Sequence, residues 1–169
     1  MKLIDNFFKE YDFKNLTQRI MWNGSFPVYL RNFVSYESHN FSKHSRRDPL
    51  YDWFGSHIIF NDGDAQSSLC PYLSGLLKPL LKWKSLVRIK INFYGHTTKM
   101  YEHPLHRDFD FKHKVALISL NTCDGFTRVG KKKIDSIANK ALLFNGLTPH
   151  NSSTCTNSNG RWNINVNYL

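Results

Sequence analysis

The sequence predicts a mainly β domain with flanking helices, built as a double-stranded β-helix, or jelly roll. Three observations carry that expectation. From residue 86 to the C-terminus the chain divides into eight short stretches of strand character, separated by turn residues. The first and last of these stretches alternate cleanly between apolar and polar residues. A leucine-rich segment of helical spacing precedes them and can cover an apolar sheet face.

The elements follow in chain order. Residues 1–65 read as irregular, rich in aromatics, Asn, Ser and His, with short apolar stretches at 26–33 and 57–60. Residues 35–52 set Tyr36, Phe41 and Tyr51 among polar and basic neighbours without a period, which suits a loop or lid. In 67–83, Leu69, Leu73, Leu76, Leu77, Leu80 and Leu81 fit helical spacing. Pro71 suits a first turn, whereas Pro79 is expected to kink or end the helix. Strands are expected at 86–94, 103–109, 114–121, 125–129, 132–137, 140–145, 150–155 and 161–168. Gly95, Asp124-Gly125, Gly130, Ala138-Asn139, Asn145-Gly146 and Asn159-Gly160 punctuate them.

In 87–94, Val87, Ile89, Ile91 and Phe93 share one face, and Arg88, Lys90, Asn92 and Tyr94 the other. In 161–168, Trp162, Ile164, Val166 and Tyr168 oppose Arg161, Asn163, Asn165 and Asn167. If the apolar faces meet the helix, the polar faces line the inside of the roll. An interior of Arg and Asn is costly unless those groups bind something, so a polar ligand pocket is expected there.

Composition bounds the partners. A chain of 169 residues is read as one domain, 1–169, with 1–85 as N-terminal support and lid and 86–169 as the jelly-roll core. Hydrophobic residues make up 41%, enough for a core, while the mean hydropathy of −0.46 and the absence of a long apolar run exclude a transmembrane helix. The start, MKLIDNFFKEYDF, meets an acid at Asp5 and has no small-residue cleavage site, unlike a signal peptide. Cys70, Cys123 and Cys155 form neither a disulfide framework nor zinc spacing, and read as reduced thiols of a cytoplasmic protein. The net charge of +10 suits nucleic acid or anionic small molecules without choosing between them. The runs at 112–114 and 131–133 read as solvated loops.

The chemistry is concentrated in three residues. On a strand His106 and Asp108 would share a face, with Arg107 turned away, and His150 would supply a third ligand. Two imidazoles and a carboxylate leave the other positions of an ion open, the donor set of non-haem Fe(II) oxygenases. Asp110 is the rival carboxylate, and His103 is close enough to be a supporting group or a rival ligand.

The order HRD at 106–108, NGLTPHNSS carrying His150 and GRWNINVNY opening on Arg161 resembles the Fe(II)/2-oxoglutarate-dependent dioxygenases. The subgroup it is most similar to is the small prolyl-hydroxylase-like type of microbes and viruses. The resemblance spans about 86–169. It implies Fe(II) on His106, Asp108 and His150, 2-oxoglutarate as cosubstrate and O2 as oxidant. It implies Arg161 as the partner of the distal carboxylate of 2-oxoglutarate, with Tyr94, Asn92 and Ser152 assisting; Arg88 is the fallback anchor. The first and last strands of such a fold pair antiparallel, which would set Arg161 beside Tyr94. The implied reaction is hydroxylation with decarboxylation of 2-oxoglutarate to succinate and CO2, in the cytoplasm of a cell or, for a virus-encoded chain, of its host. The retained Asp108 favours hydroxylation over halogenation. The resemblance leans to peptidyl proline, with a small metabolite as another substrate. The alternatives are oxidative demethylation of a nucleic-acid base, using the aromatic first half with Arg46 and Arg47, or a non-catalytic basic module that binds nucleic acid.

Overall fold

A computed structural model describes residues 1–34 and 48–169. The strands are β1 (Lys2–Ile4), β2 (Tyr29–Arg31), β3 (Phe54–Asn61), β4 (Asp64–Ala65), β5 (Leu86–Gly95), β6 (Lys114–Ser119), β7 (Cys123–Val129), β8 (Lys132–Ser136), β9 (Ala141–Asn145), β10 (His150–Ser152) and β11 (Gly160–Tyr168). The helices are α1 (Glu10–Ile20) and α2 (Cys70–Leu81). A large antiparallel sheet runs β1-β9-β6-β11-β5-β3-β2, with β4 paired to β3; a small sheet runs β10-β7-β8. This is the expected jelly roll with flanking helices.

The alternation in β5 and β11 decides how the layers meet. Ile89, Ile91, Ile164 and Val166 pack in one core with Leu16 and Ile20 of α1 and Leu73, Leu77 and Leu81 of α2. Both helices therefore cover the outer face of the large sheet. α1 places Leu16 and Ile20 one turn apart, and Glu10, Asp12 and Arg19 complement its dipole. In α2, Pro71 occupies the first turn. The expected break at Pro79 does not occur. The helix continues to Leu81 and ends on Lys82, whose φ of 51° lies in the left-handed region. Pro79 lies two residues before the helix end; it forfeits the N–H bond to the Gly75 carbonyl, and the last turn persists without it. A smaller cluster of Val115, Val129, Leu142 and Phe144 bridges the two sheets on the inside.

Two other expectations differ. The stretch 1–65 contributes α1 and four strands, and β3 pairs with β5 over most of its length. The segment 103–109 is not a strand. Strand-like pairing is limited here to isolated bridges, Glu102 to Ser153 just before the segment and His106 to His150 within it. Pro104 removes a ladder donor between them. The proposed lid residues Tyr36 and Phe41, with Arg46 and Arg47, lie outside the described residues. Tyr51 is described and stacks on Tyr101, with ring centroids 5.6 Å apart. The three cysteines are free and buried. Among the described residues, no helix is long and apolar enough to cross a membrane.

Candidate active site

The inner face of the large sheet is a ladder of directly opposed pairs: Tyr94 with Arg161, Asn92 with Asn163, Lys90 with Asn165 and Arg88 with Asn167. Its order follows from antiparallel pairing and the period of two. The contact between Arg161 and Tyr94 expected from the sequence is thus a backbone register, and the guanidinium carbon lies 5.4 Å from the Tyr94 ring centroid.

His106 and His150 face each other across an antiparallel bridge, with His106 N donating to the His150 carbonyl (2.8 Å) and His150 N to the His106 carbonyl (2.9 Å). Opposed residues on such a bridge project to one side, and here the imidazole centroids lie 4.7 Å apart. Each Nδ1 is tied locally, to Pro104 O at 3.3 Å in His106 and to Thr148 O at 3.2 Å in His150. With Nδ1 as donor, each Nε2 keeps its lone pair, the arrangement metal-ligating histidines use. Asp108 completes the group, and one ligating atom from each of the three residues lies within 4.8 Å of the others.

Asp108 is held from below by the ladder. One of its oxygens accepts from Asn165 Nδ2 and Asn167 Nδ2, both at 3.0 Å, and the other meets Arg88 at 2.7 Å. Burial alone would raise its pKa. The Arg88 guanidinium, aided by Lys90, instead holds the carboxyl well below its usual range. Burial also pushes His106 down to about 3, aided by His150, and lowers His150 as well. At neutral pH the site is one carboxylate and two neutral imidazoles, ready for a cation without losing protons.

Arg161 is 1% exposed. Its guanidinium donates to Thr127 Oγ1 at 2.5 Å and to Ser153 O at 3.4 Å, and no carboxylate among the described residues pairs it. The cavity, about 370 Å³ of space including its open side, lies between the two sheets. Its lining includes His106, Asp108 and His150 together with Asn92, Tyr94 and Ser152. Arg161 is not itself on the lining; it sits behind Thr127 and Tyr94, which are. Ser152 Oγ is 3.0 Å from Nδ1 of buried His103, which is thereby a supporting group and stands apart from the three-residue group. Asp110 is exposed and also outside it. Five cavity residues escaped sequence reasoning: Thr127 and Asn151 of the small sheet, Phe54 of β3, Leu117 of β6, and Val34. Only the alternation within β7 and β10 could have pointed to the first two.

No protein-family model matches the sequence, and no curated protein is significantly similar to it. Solved structures are similar. A prolyl hydroxylase from Trichoplax adhaerens, in complex with a hypoxia inducible factor oxygen degradation domain peptide, aligns over 99% of this chain and 82% of its own, with TM-score 0.66 and 17% identity. A Pseudomonas putida prolyl-4-hydroxylase aligns over 99% and 90%, with TM-score 0.61 and 12% identity. An oxidoreductase of the 2OG-Fe(II) oxygenase family from Burkholderia pseudomallei aligns over 98% and 83%, with TM-score 0.60 and 9% identity. The chain has the 2OG-Fe(II) oxygenase fold. The His106, Asp108 and His150 group suits Fe(II), because two nitrogen donors and one carboxylate oxygen converge from one side and leave the cavity side open. The same interior holds orphaned polar atoms, Asn92 Oδ1, Asn163 Nδ2 and Arg161 Nε, which a polar ligand would satisfy.

Proposed function

We propose that this protein is an Fe(II)- and 2-oxoglutarate-dependent oxygenase that hydroxylates its substrate. The observation that carries the reading is the pairing of a three-ligand group with a buried guanidinium that has no carboxylate partner among the described residues, at the two ends of one ladder. The chemistry supplied by bound Fe(II) is activation of O2, coupled to decarboxylation of 2-oxoglutarate to succinate and CO2.

The chain's own residues do the rest. His106, Asp108 and His150 hold the ion, with Arg88, Asn165 and Asn167 fixing the carboxylate. Arg161 binds the distal carboxylate of 2-oxoglutarate through its planar fork, for which Thr127 orients it. Tyr94 and Ser152 donate from the cavity wall, and Asn92 and Asn163 line the path between, joined by a 2.9 Å hydrogen bond. Phe144, edge-on to His150 at 5.0 Å, and Leu117 keep water from one side of the group.

Anaerobic titration with Fe(II) and 2-oxoglutarate tests the reading through the visible charge-transfer band of the chelate. The band is expected in the wild type and absent in His150→Ala. Iron binding without the band would remove the cosubstrate assignment, and failure to bind iron would remove the enzyme reading altogether.

A further inference from the structure

Lys90 is a cation that neither the metal group nor the 2-oxoglutarate anchor uses. It projects from the inner face of β5, opposite Asn165, and lines the cavity beside His106, Asp108 and His150. Its ammonium is 5.2 Å from the Phe54 ring centroid, and no carboxylate among the described residues lies within ion-pair distance of it. Asp108 is already taken by Arg88. Burial pushes the Lys90 ammonium down to about 7; Arg88 and Arg31 repel it, and the attraction of Asp108, already engaged by Arg88, offsets that repulsion only in part. A half-buried ammonium facing like charges is unfavourable unless an anion joins it. With one Fe(II) and dianionic 2-oxoglutarate in place, the charges of Asp108, Arg88, Lys90 and Arg161 still leave the cavity positive.

The position separates this cation from the cosubstrate anchor. Arg161 stands opposite Tyr94, and Lys90 stands four residues along the same strand from Tyr94, about 13 Å away at strand rise. Asn165, the partner of Lys90, bonds Asp108 directly. Lys90 therefore lies at the metal end of the ladder, on the side of β3 and Val34. We infer that Lys90 anchors the primary substrate, and that this substrate carries an anionic group, a carboxylate or a phosphate, next to the carbon that is oxidised. The inference rests on the oxygenase reading and adds the substrate class to it.

The test uses the whole protein loaded with Mn(II) and saturating 2-oxoglutarate. Inorganic phosphate and acetate serve as probes, observed by paramagnetic relaxation of their 31P and methyl 1H signals. Saturable enhancement is expected for at least one probe, and the stronger of the two names the anion. Its apparent affinity should fall about tenfold or more in Lys90→Met, on the usual strength of a charge-assisted hydrogen bond, and stay unchanged in the exposed Lys133→Met. No saturable enhancement in the wild type, or equal enhancement in Lys90→Met, would overturn the inference. So would a loss of 2-oxoglutarate binding in Lys90→Met, which would make Lys90 a cosubstrate ligand. Failure of the wild type to bind Mn(II) or 2-oxoglutarate is seen separately, before any probe is added, and would bring down the oxygenase reading and this inference together.

Discussion

Replacing Arg161 with Met separates a ligand anchor from a structural group, because the two roles predict effects on different observables. The guanidinium is buried and has no carboxylate partner among the described residues; its shortest tie is to Thr127 Oγ1 at 2.5 Å, and the contact with Ser153 O is long at 3.4 Å. Burial lowers its pKa, yet an arginine stays charged. In the ligand-free protein this is a desolvated charge with thin compensation. An apolar side chain of similar length should therefore leave stability unchanged within about 1 kcal/mol, or raise it. The bound state behaves oppositely. Two charge-assisted hydrogen bonds to a carboxylate, at about 1.5 kcal/mol each, amount to about 3 kcal/mol, or about 100-fold in 2-oxoglutarate affinity. Two assays check this: thermal unfolding of the metal-loaded protein with and without 2-oxoglutarate, and the 2-oxoglutarate titration of the charge-transfer band. The mutant should keep the unfolding midpoint of the ligand-free protein and lose the ligand-induced increase. A large drop in that midpoint, with 2-oxoglutarate affinity within about threefold of wild type, would refute the anchor and make Arg161 a structural residue.

Asp108→Ala should abolish metal binding and also destabilise the protein, by about 3–5 kcal/mol, because it strands Arg88 beside Lys90. Asp110→Ala, outside the three-residue group, should leave metal affinity unchanged in the same calorimetric measurement. Lowering the pH should weaken the metal-free fold. With His106 near 3 when folded and 6.5 as its ordinary value, the unfolded chain binds more protons across that window, so stability falls as pH drops through it. Urea unfolding at pH 7.5 and pH 5 should show the fall, and a flat profile would contradict buried neutral imidazoles. Asp108 adds its own stability only while ionised, so that contribution is present above about 3.8 and disappears at still lower pH. Gly125→Ala should weaken 2-oxoglutarate binding without touching the metal group. A Cβ there would come within 2.7 Å of both Arg161 Cδ and the Thr154 carbonyl oxygen; no movement of the arginine relieves the second clash, so the backbone at Gly125 must shift and Arg161 be displaced with it. Unchanged 2-oxoglutarate affinity in a folded Gly125→Ala protein would count against the placement of Arg161.

Much of this molecule is written in period-two patterns. The alternation in 87–94 and 161–168 foretold two strands, the helix-covered outer face and a polar inner face. The pairing of Arg161 with Tyr94 was expected from the family resemblance, in which the first and last strands pair antiparallel, and the observed register has it. The three-residue group was legible because HRD and a distal histidine are short, ordered signals. Tertiary structure decided the rest. His106 and Asp108 do not share a face of a strand; a bridge to His150 and the bonds from Asn165, Asn167 and Arg88 bring them together. The strands of the first 65 residues were hidden because their pattern is short and gains its meaning only against β5. Above all, whether a cation in the interior meets a carboxylate, as Arg88 does, or meets none among the described residues, as with Arg161 and Lys90, depends on which carboxylate the fold brings near it. Charge pairing is a matter of a few ångströms between residues distant in the chain, and local sequence does not encode such distances.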